Sequence, residues 1–266
     1  MRPGAVELLV RTGFLVKGLI YISIGALALQ VALRTGGRFT GSRGALAALL
    51  SQPYGRNVLL LAAAGLLAYG AWRVLQGVLD PDRLGREWRA LATRIGYVIR
   101  GLFHGALGWY ALRLSRGLGR ASGDTERDAA IEALQWPFGE WVLVLVGVCL
   151  AGFAAVELYE AVTSHFEPNL QVEQMRREVG DWALGVCRFG VGARAVVLVV
   201  LGWAVVVAGW SQDPSEVGTT ETSLRTIAGQ PAGTGRWLLG ITAAGLIAYG
   251  FYEILHARFL RIRKVT

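Results

Sequence analysis

Four side chains have types and spacings that could do chemistry inside an apolar chain: Arg100 and His104 in one apolar run, Glu157 and Glu160 in another. Spacings of three and four residues stack side chains one turn apart on one face of a helix. The four are expected to form one buried polar cluster. A buried carboxylate beside a histidine can relay protons, because burial favours its protonated form while a charged neighbour opposes that shift. Read more plainly, a lone histidine in such a run is a hydrogen-bonded packing residue. A second set, Lys17, Arg73, Arg194 and Glu253, is expected to form an inner charged layer at one end of the helices. Interhelical ion pairs such as Arg194 with Glu253 are the structural expectation for that layer; the functional one is a vestibule or gate.

Such residues need apolar helices to hold them, and the composition supplies these. Hydrophobic residues make up 53% of 266, charged ones 17%, and the mean hydropathy is +0.44. The apolar residues fall into six blocks of membrane-spanning length with most charges between them, which a soluble core does not require. A charge at the bilayer centre costs about 2.5 to 3.5 kcal/mol, so depth matters. Sixteen uncharged residues follow Lys17 before Arg34. At about 1.5 Å per residue they cover about 24 Å of a core about 30 Å thick, leaving Lys17 within snorkelling range of the boundary. The same run of sixteen separates Arg56 from Arg73, Glu140 from Glu157 and Arg236 from Glu253.

Three stretches repeat the same landmarks in the same order. Each first helix opens with Arg-x-Gly and carries a base six positions on: Arg11, Gly13, Lys17; Arg94, Gly96, Arg100; Arg188, Gly190, Arg194. A short amphipathic stretch and a Gln-Pro turn follow, at Gln52, Pro53, Gly55, at Gln135, Pro137, Gly139 and at Gln230, Pro231, Gly233. An Ala-Gly pair then marks each second helix, with a charged residue eight positions after the glycine: Arg73, Glu160 and Glu253.

On these landmarks the chain resembles a bacterial membrane-protein family, domain of unknown function 1206, whose repeat is a transmembrane helix pair present three times. The resemblance runs from about residue 9 to 259. It implies a membrane-embedded helical fold and no activity, cofactor or site residue.

The expected fold is therefore an all-α membrane protein: six transmembrane helices as three tandem two-helix repeats, at about 9–79, 92–162 and 186–257, in a pseudo-threefold bundle. A single integral membrane domain covers 1–266, ending in a basic tail at 258–266. The first block is read as part of the fold rather than a cleaved signal peptide, because it has two internal counterparts. Outside the helices, fourteen Lys and Arg lie on the side of the termini and ten on the other. That bias places both termini in the cytoplasm of a bacterial cell with the chain in its inner membrane. Trp72, Trp88, Trp141, Trp182, Trp210 and Trp237 near helix ends suit an interfacial belt, and 174–182 reads as a surface helix. Gly101, Gly105 and Gly108, and Gly147 with Ala151, form faces for close helix approach.

Several function classes drop out. Cys149 and Cys187 stand apart, with no spacing for a disulfide framework, a redox pair or a metal site. His165 and His256 lie at helix ends and His104 has no evident partner histidine, so haem ligation is not expected and no cofactor is implied. The net charge of +8 sits at the ends of apolar segments, which suits anionic lipid headgroups as partners and not nucleic acid. No nucleophile elbow, phosphate loop or dinucleotide fingerprint occurs, so the chain is not expected to be an enzyme. Two readings remain: ion or small-solute permeation through the bundle, or a non-transporting scaffold or accessory subunit that binds lipid, a partner protein or a second copy.

Overall fold

Each repeat folds as a long helix, a short helix and a second long helix. The computed structural model describes residues 5–81, 83–118, 125–163, 171–231 and 234–260. The first copy is α1 (Ala5–Leu33), α2 (Ser42–Leu50) and α3 (Gly55–Leu79), and the second is α4 (Trp88–Ser115), α5 (Thr125–Leu134) and α6 (Gly139–Thr163). After α7 (Val172–Val179) the third copy is α8 (Trp182–Ser211), α9 (Thr220–Ala228) and α10 (Thr234–Phe259). His165, the residues of the basic tail beyond Leu260 and the terminal Arg2 lie outside the described residues.

Five of these helices contain stretches long and apolar enough to cross a membrane: Val10–Leu33, Gly55–Leu79, Gly139–Thr163, Trp182–Ser211 and Thr234–Phe259. The expected sixth, α4, has 28 residues, but Arg100 and His104 interrupt its apolar run, so composition alone does not qualify it.

The Gln-Pro turn does a specific job. It delivers a glycine to the start of each second helix, tight against carbonyl oxygens of the preceding short helix. At Gly55, Gly139 and Gly235 a Cβ would fall under 3.0 Å from carbonyl oxygens of Leu49, Ala133 and Ala228. The third-copy equivalent is thus Gly235, not Gly233. Eighteen positions on from these glycines stand Arg73, Glu157 and Glu253. This differs from the Ala-Gly register, which matched Glu160 to Arg73 and Glu253. Gly65 packs against Gly13, whereas a Cβ on Gly152 would meet nothing within 4 Å. The middle-copy Ala-Gly pair is therefore not the packing landmark it resembles.

The arginine of each Arg-x-Gly landmark confirms this register from the other end. Arg94 donates to the carbonyl oxygens of Gly77 (2.8 Å) and Val78 (2.9 Å), and Arg188 to those of Ala161 (2.7 Å) and Val162 (3.0 Å). Arg11 donates to the carbonyl oxygens of Ala257, Arg258 and Leu260. The last carbonyls of a helix have no intrahelical donor, and a guanidinium there also meets the negative end of the helix dipole. Gly77, Ala161 and Ala257 each lie four residues beyond Arg73, Glu157 and Glu253.

These caps join the second helix of one copy to the first helix of the next, and the packing follows: α3 lies along α4, α6 along α8, and α10 along α1. Within copies α1 packs on α3 and α8 on α10, but α4 and α6 do not pack along their lengths. Small residues permit the close crossings. A Cβ on Gly101 would lie 2.7 Å from the Gly70 carbonyl oxygen, and one on Gly147 would lie 2.7 Å from that of Gly202. Gly105 differs from its neighbours on the expected small-residue face, since nothing lies within 4 Å of its Cβ position.

A cluster of buried Ile24, Leu59, Leu66, Leu239 and Leu246 fills one half of the bundle, with Leu46 of α2 and Leu224 of α9 inserted into it. Five of the six expected belt tryptophans face outward, while Trp72 packs against a buried cluster around Phe14 and Tyr69. The surface helix ends at Val179, three residues before the expected boundary, because Gly180 adopts a φ of +109°. Its Met175 is buried while Arg176 and Arg177 are exposed. Glu178 accepts from the Gln174 side chain and from Arg258, which holds its carboxyl below the usual range.

A valine at Gly101 is expected to lower the thermal midpoint in detergent, by overpacking worth about 1 to 3 kcal/mol. Alanine at Gly96, whose Cβ position is open, serves as the control and should leave the midpoint within error.

Candidate functional site: a buried charged chamber

All six long helices turn ionisable or aromatic side chains toward one internal chamber. Its lining includes Lys17 from α1, Arg73 from α3, Arg100 and His104 from α4, Glu157 and Glu160 from α6, Arg194 from α8, and Tyr249, Glu253 and His256 from α10. The two sets of residues singled out in the sequence thus line a single space. His104, Glu157, Lys17, Arg73 and Glu253 are buried, whereas Arg100 and Glu160 are half-buried.

Two ion pairs cross the chamber wall. Lys17 Nζ lies 2.7 Å from Glu253 Oε1, and Arg194 Nη1 donates to Glu157 Oε1. The expected pair of Arg194 with Glu253 is not formed. The reason is connectivity: the second helix of each copy faces the first helix of the next, so Glu157 of copy two meets Arg194 of copy three and Glu253 of copy three meets Lys17 of copy one. Glu157 accordingly shares the layer of Arg194 rather than lying a turn deeper beside His104.

The bases are also held by rings. Lys17 Nζ is 5.6 Å from the Tyr69 ring centre and 5.5 Å from that of Tyr249. Arg194 lies 4.9 Å from the Tyr249 centre and 5.6 Å from that of Phe153, and its Nε donates to the Tyr21 hydroxyl at 3.0 Å. Arg100 lies 4.3 Å from the Phe153 centre, bridging α4 to α6 where their backbones stay apart. The His104 ring meets the Tyr69 ring edge-on at 5.0 Å. Cations and rings therefore alternate around the bundle, each desolvated contact contributing up to about 2 kcal/mol. Tyr69, Phe153 and Tyr249 stand fourteen positions after the glycines that open α3, α6 and α10.

Arg73 is 2% exposed. Its Nε donates to the Tyr69 hydroxyl and its Nη1 to Gln76 Oε1, each at 3.0 Å. His104 Nδ1 donates to the Arg100 carbonyl oxygen at 2.8 Å. That oxygen can only accept, so the neutral ring carries its proton on Nδ1 and presents Nε2 as an acceptor. The remaining oxygens, Oε2 of Glu157 and of Glu253, are buried without a hydrogen-bond partner among the described residues. The internal space amounts to about 20 Å³, room for one water molecule.

Sequence reasoning missed His256, Tyr249 and the aromatic layer. His256, in the last turn of α10 as expected, also stacks on Phe14 at 4.4 Å and lines the chamber with His104. The glycine-counted register carried the missing signal, since Gln76, Glu160 and His256 are equivalent in it. Among the described residues no group of three or more His, Cys, Asp or Glu side chains could hold a metal ion. Cys149 is exposed and Cys187 buried, both as free thiols.

The family model described as Domain of Unknown Function (DUF1206) matches the chain at residues 12–80, 95–164 and 189–259. The "Uncharacterized protein YxxB" of Bacillus subtilis (strain 168) is 31% identical over 245 residues, 92% of this chain and 88% of that protein. No solved structure matches.

Removing one member of a buried pair leaves its partner's charge uncompensated, so Lys17→Met or Glu253→Gln alone is expected to cost about 3 to 5 kcal/mol. The double variant is expected to recover most of that loss in chemical denaturation. Strictly additive losses would show that the pair is uncoupled.

Proposed function

The chain belongs to the Domain of Unknown Function (DUF1206) family, and from that premise we propose that it is a six-span protein of the bacterial cell membrane through which ions or small solutes permeate. In this reading α1, α3, α4, α6, α8 and α10 span the bilayer in a pseudo-threefold bundle with both termini cytoplasmic. The cyclic order of contacts, second helix of one copy against first helix of the next, supports the threefold element. Inward-facing His104 and half-buried Arg100 support α4 as a sixth span, because a charged side chain is tolerated in a bundle interior and not against lipid. The basic bias of the termini side and the exposed Arg176 and Arg177 of α7 suit anionic headgroups at the cytoplasmic face.

One observation carries the permeation reading. Seven charged side chains from six helices are gathered around a single small space, although the fold could be held by apolar packing at lower desolvation cost. Intramembrane ionisable residues lining an internal space are the usual mark of an ion or proton pathway. A scaffold or accessory subunit would more naturally carry its distinctive chemistry on its outer faces, which here present Leu61, Leu102, Leu145, Trp203 and Ile241.

The purified protein in liposomes is expected to pass protons or small ions faster than protein-free vesicles, and Glu157→Gln to slow that flux at least about tenfold. Absence of flux under any imposed gradient would move the assignment to the scaffold reading.

A further inference from the structure

Away from the chamber, a groove runs along the outward side of α10. Arg236, Gly240 and Ala244 stand at spacings that stack on one helical face, and Trp237, Leu33 of α1 and Phe189 of α8 complete the walls. Gly240 and Ala244 lack bulk, which leaves a cavity of about 360 Å³. That lies within the range of small-ligand sites, about 300 to 1,000 Å³. Leu33, Phe189 and Trp237 are exposed, so the groove opens sideways rather than into the bundle. Of its lining residues only Arg236 is charged. Its Nε donates to the Ala32 carbonyl oxygen at 2.6 Å, which holds the guanidinium beside the last turn of α1. The side chain is exposed, and its two amino groups have no hydrogen-bond or carboxylate partner among the described residues.

We propose that this groove binds one anionic phospholipid, its phosphodiester held by Arg236 and one acyl chain lying along Gly240 and Ala244. Eight residues separate Arg236 from Ala244, about 12 Å of helix at about 1.5 Å per residue. One leaflet of a hydrocarbon core about 30 Å thick is about 15 Å deep. The groove therefore runs from the boundary to near the midplane, which is the path of a single chain. Its occupant must be apolar over that length, anionic at one end and able to arrive from the side, and a phospholipid meets all three conditions. Guanidinium amino groups match phosphate oxygens in charge and geometry. Trp237 beside them places an indole at headgroup level. A zwitterionic lipid carries an ammonium group that offsets the attraction, so the site selects net negative charge. Arg236 opens α10 and so lies at the end opposite the C-terminus and α7, apart from the headgroup contacts proposed there. The inference rests on α1, α8 and α10 lying in a bilayer, for which each is long and apolar enough, and not on permeation or on the chamber.

The test is the thermal midpoint of the full chain in neutral detergent, titrated at constant ionic strength with dioleoylphosphatidylglycerol, dioleoylphosphatidylcholine or inorganic phosphate. The anionic lipid is expected to raise the midpoint saturably, the zwitterionic one to bind at least about tenfold more weakly, and phosphate to have no effect. Arg236→Gln is expected to remove the preference for the anionic lipid. Gly240→Leu, which fills the groove and keeps the arginine, is expected to weaken its binding at least about tenfold. Arg56→Gln, at the same place on α3 and exposed, is expected to change nothing. Equal shifts by the two lipids would mean ordinary bilayer contact, and an equal shift by phosphate a free-anion site; either overturns the proposal, as does an undiminished anionic-lipid shift in Gly240→Leu. If Arg236→Gln does not fold for want of its bond to Ala32, Gly240→Leu decides, since the nearest atom to a Cβ there is Ala32 Cβ at 3.8 Å. A second copy seated in the groove would appear as a dimer lost in Gly240→Leu with no lipid effect, which also refutes the site. Lipid selectivity in a protein that conducts nothing would retain this site while removing permeation; flux with no lipid selectivity would do the reverse.

Discussion

Everything else in this structure depends on keeping buried charges compensated within apolar helices. Lys17, Arg73, Arg194, Glu157 and Glu253 all lie in the interior, and each would cost several kcal/mol there without a partner. That constraint sets the axial register of the long helices more tightly than apolar contact can. Leucine and alanine faces slide past one another at small cost, whereas a carboxylate displaced by one turn loses its base. The arginine caps at Ala257, Gly77 and Ala161 act in the same sense from the helix ends.

Because the Lys17–Glu253 and Arg194–Glu157 pairs and the Arg11, Arg94 and Arg188 caps each join one copy to another, the three copies interlock rather than folding as separate hairpins. The middle copy shows this most clearly. Its own helices, α4 and α6, do not pack along their lengths, yet each is fixed by a neighbour, α3 and α8 respectively. Small residues at the crossings let those neighbours approach closely. Where they do not meet, at the seam between α4 and α6, contact passes to the Arg100 side chain on the Phe153 ring.

The rings make the charged layer compatible with an apolar interior. Tyrosine and phenylalanine bury large apolar areas while offering the face of a π-system to a cation, and tyrosine adds a hydroxyl acceptor. Arg194 uses both properties, through Tyr249 and Phe153 faces and the Tyr21 hydroxyl. Rings and hydroxyls thus share with the carboxylates the task of holding buried bases.

The sequence by itself determined the all-helical, membrane-compatible class and the threefold repetition, because apolar block length and landmark order are one-dimensional properties. It also determined which ionisable residues lie inside helices, and those residues line one chamber. Pairing was beyond it. Landmark matching tied Glu160 to Arg73 and Glu253, and only the packing of Gly55, Gly139 and Gly235 against the short helices, with the arginine caps, put Glu157 there instead. Partner choice depended on which helix faces which, and tertiary structure assigned α10 to α1 and α6 to α8, so that Lys17 rather than Arg194 received Glu253. His256 joined the chamber for the same reason: its distance from a helix end is written in the sequence, but the direction of its ring is decided by Phe14 and Tyr252 packed against it.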